Sequence, residues 1–171
     1  MKINIKIFAL ILLIFTINCS FAKKQSPEKV QVLHIIEFDY KNYPEERQFA
    51  YEYFWQKKGQ YMPWITLEHI GVAFYDINND GQKELFTFVN GGDMCPRAGC
   101  PFALFRKEGD QYIPMLWAGE VTIVSIHGSP RILSTIHKGY HDISFGNRAP
   151  DPEIAIWMWY GHRYGIFHSD Q

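Results

Sequence analysis

From residue 70 onward, apolar and polar side chains alternate with a period of two, and turn-forming residues interrupt the alternation at short intervals. Alternation of this kind is typical of half-buried β-strands. The predicted strands cover residues 70–76, 85–89, 102–106, 112–117, 121–126, 132–136, 142–145, 154–159 and 163–167. The turn signals between them include residues 108–110, 128–130, 138–139 and 160–162. Short strands joined by tight turns predict a mostly antiparallel β-meander.

Residues 44–59 predict a helix. Proline stands in the first turn, two glutamates follow it, two lysines close the segment, and Gly59 ends it. Phe49 and Tyr53 share one side, with Ala50 and Phe54 beside them, which gives the helix an apolar face. Residues 30–38 fit either a helix or a strand. The chain therefore predicts an α+β domain, with one or two N-terminal helices packed on one face of the sheet.

Residues 76–85 place oxygen-bearing side chains at regular intervals. Asp76, Asn78, Asp80 and Glu84 occupy loop positions one, three, five and nine, and Gly81 occupies position six. Calcium takes six to eight oxygen ligands, and this spacing lets a chain curl around the ion. The spacing predicts a metal-organised loop. The alternative is a hairpin with a polar, Asx-rich turn and no metal.

The flanks of this loop indicate which kind of cation loop it is. Both flanks are predicted strands, and position twelve is Thr87, where an EF-hand requires glutamate. The loop resembles the strand-loop-strand calcium motif of FG-GAP and VCBS-type repeats. The resemblance implies calcium as cofactor, with side-chain oxygens from Asp76, Asn78, Asp80 and Glu84 and a backbone carbonyl from Gln82. Glu84 departs from the pattern, which usually has aspartate there, and its longer side chain can instead reach the loop's own amides.

A wider resemblance covers residues 70–167. The chain has an aspartate-rich strand loop at 76–85, a glycine and cysteine loop at 91–101, a Gly-Tyr-x-Asp turn at 139–142 and a terminal hairpin at 159–164. This order resembles small exported bacterial proteins of unassigned role. The resemblance implies a shared architecture and no particular activity.

The first 22 residues predict a secretory signal peptide. Lys2 and Lys6 form a basic start, residues 7–17 are apolar, and Ser20 and Ala22 are small residues before the expected cut. The apolar run spans only about 16 Å as a helix, against a hydrocarbon core of roughly 30 Å. The alternative is a lipoprotein modified at Cys19. We expect a single mature domain, residues 23–171, that is periplasmic or secreted and has no transmembrane segment.

Cysteine usage agrees with export. Cys95 and Cys100 bracket a turn-rich segment, and an even pair in an oxidising compartment predicts a disulfide. Further ligands for zinc are missing, and so is the two-residue spacing of a redox pair. The loop 91–101, which carries Arg97, is a candidate binding loop because a stiff loop loses little entropy on binding. The alternative is a stapled loop without a partner.

The sequence contains no clear catalytic set. No serine stands in a Gly-x-Ser-x-Gly context. His137 and His141 are four apart but separated by a turn, and His141 beside Asp142 would point to the opposite face of a strand. Glu120, Asp142 and Glu153 are candidates for carboxylate chemistry only because they are acids near strands.

These observations favour binding over catalysis. The formal net charge of −1 argues against a nucleic-acid partner held through phosphates. We expect a non-enzymatic exported domain that binds a protein or envelope component, in the manner of an inhibitor or immunity protein, with the acidic loop as structural support. The alternative is a cell-wall or glycan hydrolase that uses carboxylates.

Overall fold

The computed structural model describes residues 30–58, 62–92, 95, 99–116, 122–146 and 155–166. Within them the chain forms one α-helix, α1 (Pro44–Lys58), one 3-10 helix (Leu67–His69) and nine strands. The strands are β1 (Val32–Ile35), β2 (Ile70–Tyr75), β3 (Glu84–Val89), β4 (Cys100–Glu108), β5 (Gln111–Pro114), β6 (Val124–His137), β7 (Tyr140–Gly146), β8 (Ala155–Trp159) and β9 (Tyr164–Ile166). Each pairing between these strands is antiparallel, which confirms the predicted α+β, mostly antiparallel class.

The strands follow a meander with one detour. Strands β2, β3, β4, β6, β7, β8 and β9 are neighbours in that order, while β5 pairs with β4 and β1 pairs with β6. Strand β6 pairs with β4 through its first residues and with β7 from His127 onward. It therefore joins a first sheet, β2 to β5, to a second sheet, which contains β1 and β7 to β9.

The first sheet is buried on both faces. Alternate side chains of β3 and β4 belong to two different cores. One core lies between the two sheets and includes Phe86, Phe102 and Leu104 together with Ile143, Phe145 and Trp157 of the second sheet. The other lies under α1 and includes Leu85, Ala103 and Phe105 together with Ala50 and Phe54 of the helix. The order of layers is therefore helix, sheet, sheet.

The helix packs through the apolar face that its sequence predicts. The ring centroids of Phe49 and Tyr53 lie 5.1 and 4.8 Å from that of Phe105, and both contacts are edge-on. Ala50 and Phe54 are fully buried beside them. In the part of the chain that the structure describes, no helix has the length and apolar character needed to cross a membrane.

Strand β6 differs from the sequence prediction. Residues 121–126 and 132–136 were expected to form two strands separated by a turn at 128–130, whereas one strand runs from Val124 to His137. The register with β7 shifts between His127 and Arg131, and Gly128 has a positive φ of 70°. The turn-forming residues therefore make a bulge inside a paired strand, because pairing with β1 and β7 outweighs the local turn preference.

Candidate functional site: the acidic loop and a groove between two strand edges

The acidic loop 76–85 joins β2 to β3 and closes on its own backbone amides. The carboxylate of Asp76 accepts hydrogen bonds from the backbone N–H groups of Asp80 (3.2 Å) and Gly81 (2.9 Å). Asp80 in turn accepts from the backbone N–H of Gln82 at 2.7 Å. Asn79 and Gly81 have positive φ values of 58° and 88°, which the tight curl requires.

Two further predicted ligands also bond within the loop. The Asn78 amide donates to the Asp80 carboxylate at 2.8 Å. Glu84 is only 3% exposed, and one of its carboxylate oxygens accepts the backbone N–H of Ile77 at 3.0 Å. Burial raises the pKa of Glu84 to about 7, and the nearby charges of Asp80 and Asp76 act in the same direction. The Glu84 side chain therefore reaches a backbone amide of its own loop, as its greater length compared with aspartate allows.

In this arrangement the predicted calcium ligands are engaged in hydrogen bonds within the loop. The donor set has the hard oxygen chemistry that calcium prefers. However, Asn78 points its donor nitrogen at Asp80, and Glu84 is turned to Ile77. Among the residues that the structure describes, no three or more His, Cys, Asp or Glu side chains form a group able to hold a metal ion. The hydrogen bonds account for the shape of the loop without a cation.

The loop is also anchored to the second sheet. The backbone N–H of His141 donates to the Ile77 carbonyl at 2.9 Å. The His141 ring bridges two segments, with Nδ1 donating to the Leu133 carbonyl at 2.8 Å and Nε2 lying 3.3 Å from the Asn79 amide nitrogen. Tyr164 donates its hydroxyl to the His141 carbonyl at 2.6 Å. The acidic loop therefore connects the two sheets at one end of their shared core.

His137 of β6 and Asp142 of β7 form a histidine-aspartate pair. Adjacency in the sequence suggested His141 as the partner of Asp142. Asp142 is 2% exposed and lies 2.7 Å from Nδ1 of His137, while Thr135 donates its hydroxyl to the same carboxylate. His141 has no part in this pair, because adjacent strand residues point to opposite faces. The two-residue turn at 138–139 was the available signal, since a tight hairpin places residues 135 and 137 beside 142.

Cys95 and Cys100 form a disulfide, with their Cα atoms 5.1 Å apart. Ahead of the disulfide, the backbone at Gly91 lies against an aromatic ring. A Cβ added to Gly91 would lie 2.3 Å from the Trp64 ring and 3.0 Å from the Cys95 sulfur, so the backbone approaches this ring as closely as glycine allows. Arg97, the candidate binding residue of this loop, lies outside the described residues.

A groove of about 810 Å³ lies between β1 and β2. One wall is the segment from Val32 to Glu37, and the other contains Val72, Ala73 and Phe74. Val32, Leu33 and Ile35 are 51, 49 and 50% exposed although they belong to a strand. Sequence reasoning missed this groove, since β1 finds its partner β6 about a hundred residues away. The apolar residues of the segment 30–38 were its only sequence signal.

Comparisons of this chain with protein-family models, with curated proteins and with solved structures find no match.

Proposed function

We propose that this chain is an exported domain that acts by binding a protein or an envelope component, in the manner of an inhibitor or immunity protein. The observation that supports the proposal best is β1, where three large aliphatic side chains are about half exposed along a groove. Exposed apolar patches rimmed by polar residues are typical of interaction sites. The Cys95–Cys100 disulfide is compatible with an oxidising compartment, which is part of the proposal.

The alternative, a hydrolase that uses two carboxylates, receives less support. Among the described residues, the buried acids are Glu84 and Asp142. Glu84 accepts the Ile77 amide, and Asp142 accepts from Thr135 and faces His137. The two carboxyl groups of a glycosidase face a substrate cleft and lie about 5–10 Å apart. Outside the acidic loop the described residues contain one buried acid, Asp142, and the other two candidates, Glu120 and Glu153, lie outside the described residues.

A retention experiment tests the binding proposal. The mature domain, residues 23–171, is immobilised and exposed to envelope extract, and any retained component is purified and titrated against the free domain by calorimetry. We expect a saturable isotherm, weakened at least about tenfold by Leu33→Lys, which places a charge on the exposed strand. Ile136→Lys is the matched control, because Ile136 is 54% exposed on β6. Absence of any saturable component would contradict the proposal.

Calcium support of the acidic loop is a separate part of the proposal and rests on the resemblance of residues 76–85 to FG-GAP and VCBS-type loops. Calcium would require Asn78 and Glu84 to leave their present partners. Under this proposal, calcium raises the melting temperature by mass action, and Asp80→Ala removes the rise. A wild-type melting temperature that responds neither to calcium nor to chelator would assign the loop to hydrogen bonding alone.

A further inference from the structure

The groove between β1 and β2 is closed at one end by a backbone bridge. Asp39 and Val72 exchange two hydrogen bonds, with N···O distances of 2.8 and 3.0 Å. At the other end, the rings of His34 and Tyr75 stack with their centroids 4.8 Å apart. Between these two points the strands separate and do not pair with each other.

The edge of β2 that faces this groove has backbone groups in position for another strand. Val72 directs both its N–H and its C=O away from β3, because both bond to Asp39. In an antiparallel ladder the direction of these groups alternates along the strand. The N–H and C=O of Phe74, two residues further, therefore point into the groove. An extended chain placed there would continue the pairing that the Asp39–Val72 bridge begins.

The walls of the groove include apolar side chains and one residue with an unusual backbone conformation. Val32 lines one wall, and Phe74 lines the other. Tyr43 packs edge-on against Phe74 at 5.1 Å, is 47% exposed, and has a φ of 56°. A bulky residue in the left-handed region is uncommon, and such residues cluster at binding sites. Tyr43 therefore contributes an aromatic side chain to the rim of the groove, from a strained backbone position.

The two ends of the groove have opposite charge. Glu37 lines it beside Asp39, whose pKa is lowered to about 2 by hydrogen bonds from the backbone and side chain of Asn42. Lys83 lines the end near Tyr75. Within the described part of the chain, the side chains of Glu37 and Lys83 make no hydrogen bond and no ion pair. The two ends are three residue steps apart along β2, from Val72 to Tyr75, which is roughly 10 Å.

We propose that this groove binds an extended peptide segment of a partner protein by strand addition to the outer edge of β2, with a basic side chain opposite Glu37 and an acidic group opposite Lys83. The inference rests on the proposed function and specifies its binding mode. Main-chain hydrogen bonds supply affinity in such additions, and side-chain pockets supply selectivity. A second copy of this chain is a poorer occupant, since residues 30–38 around its exposed strand contain no lysine or arginine to meet Glu37.

The probe is a synthetic eight-residue peptide, acetylated and amidated, of valine and threonine with glutamate at its third position and lysine at its sixth, which places the two charges roughly 10 Å apart. Its binding to the mature domain is followed by amide chemical shifts in NMR. We expect saturable shifts at Val72 and Phe74. N-methylation of alternate peptide residues along the edge that faces β2 should abolish them, while methylation along the opposite edge should not. Exchanging these two charged residues should weaken binding about fivefold.

Glu37→Lys should weaken binding of the probe about fivefold, and Glu52→Lys, an exposed helix residue with the same charge change, should not. Equal binding of the charge-exchanged peptide, or no groove shifts at millimolar peptide, would overturn the inference. Groove shifts that depend on protein concentration alone would assign the site to a second copy. If the Leu33→Lys variant still retains the envelope component, that result would overturn the strand-addition inference and leave the proposed function standing.

Discussion

Glu84 is the residue whose surroundings conflict most with its chemistry. It is almost fully buried, it has one hydrogen bond from the Ile77 amide, and two aspartates lie close to it. Burial without a cationic partner favours the neutral acid, so the fold raises the pKa of Glu84 from 4.5 to about 7. The protonated form is therefore the one that the folded state stabilises.

This shift predicts a pH dependence of stability. Since the folded pKa lies above the unfolded one, the stabilisation is complete below pH 4.5 and is lost as the pH rises through about 7. The free energy of unfolding should fall by roughly 3 kcal/mol across this window. Urea unfolding at several pH values, with chelator present, measures it. Glu84→Gln keeps an acceptor for Ile77 and should flatten the slope, whereas parallel curves for the two proteins would show that Glu84 is not its source.

At the scale of elements, the acidic loop is held by a carboxylate that accepts two amides. Asp76→Ala leaves the Gly81 N–H without its acceptor and leaves the Asp80 N–H with Asn78 Oδ1 alone, so it should lower the free energy of unfolding by about 1–3 kcal/mol. Urea unfolding in the presence of chelator measures the loss. Lys83→Ala, an exposed change in the same loop, is the control. Equal stability of the two variants would mean that the Asp76 bonds contribute nothing.

The backbone at Gly91, ahead of the Cys95–Cys100 disulfide, lies against the ring of Trp64. Gly91→Ala places a methyl group closer to the Trp64 ring than van der Waals contact allows and should destabilise the protein by about 1–3 kcal/mol. In a Trp64→Leu background the same change should cost less, because the smaller side chain leaves room. A double-mutant cycle on the free energy of unfolding measures the difference. Strict additivity of the two changes would contradict the assigned contact.

Some elements could be predicted from local sequence and others could not. The helix at Pro44–Lys58 was predictable since proline, acids, lysines and glycine all indicate the same boundaries. The acidic loop was predictable in position, because its flanking strands alternate. The orientation of Glu84 was not fixed by the sequence, since both a cation and the Ile77 amide suit a carboxylate. The bulge at Gly128 and the groove beside β1 depend on pairing across long sequence separations, which no local pattern contains.

At the scale of the whole molecule, the first sheet belongs to both cores, so the two cores should unfold together. Phe54→Ala removes a ring from the core under the helix, and Phe145→Ala removes one from the core between the sheets. Each change should cost about 3–5 kcal/mol. In both variants, thermal transitions followed by far-ultraviolet circular dichroism and by tryptophan fluorescence should coincide. Two separate transitions would show that the cores are independent units.

The open outer edge of β2 also affects how the protein can be stored and produced. An unprotected apolar edge offers its backbone to any extended polypeptide, including unfolded neighbours, and such edges are starting points for fibrous aggregates. This edge stays uncovered in every molecule whose groove is empty. The highest concentration at which the purified chain stays monodisperse should therefore be set by this one edge and should rise when the eight-residue peptide fills the groove.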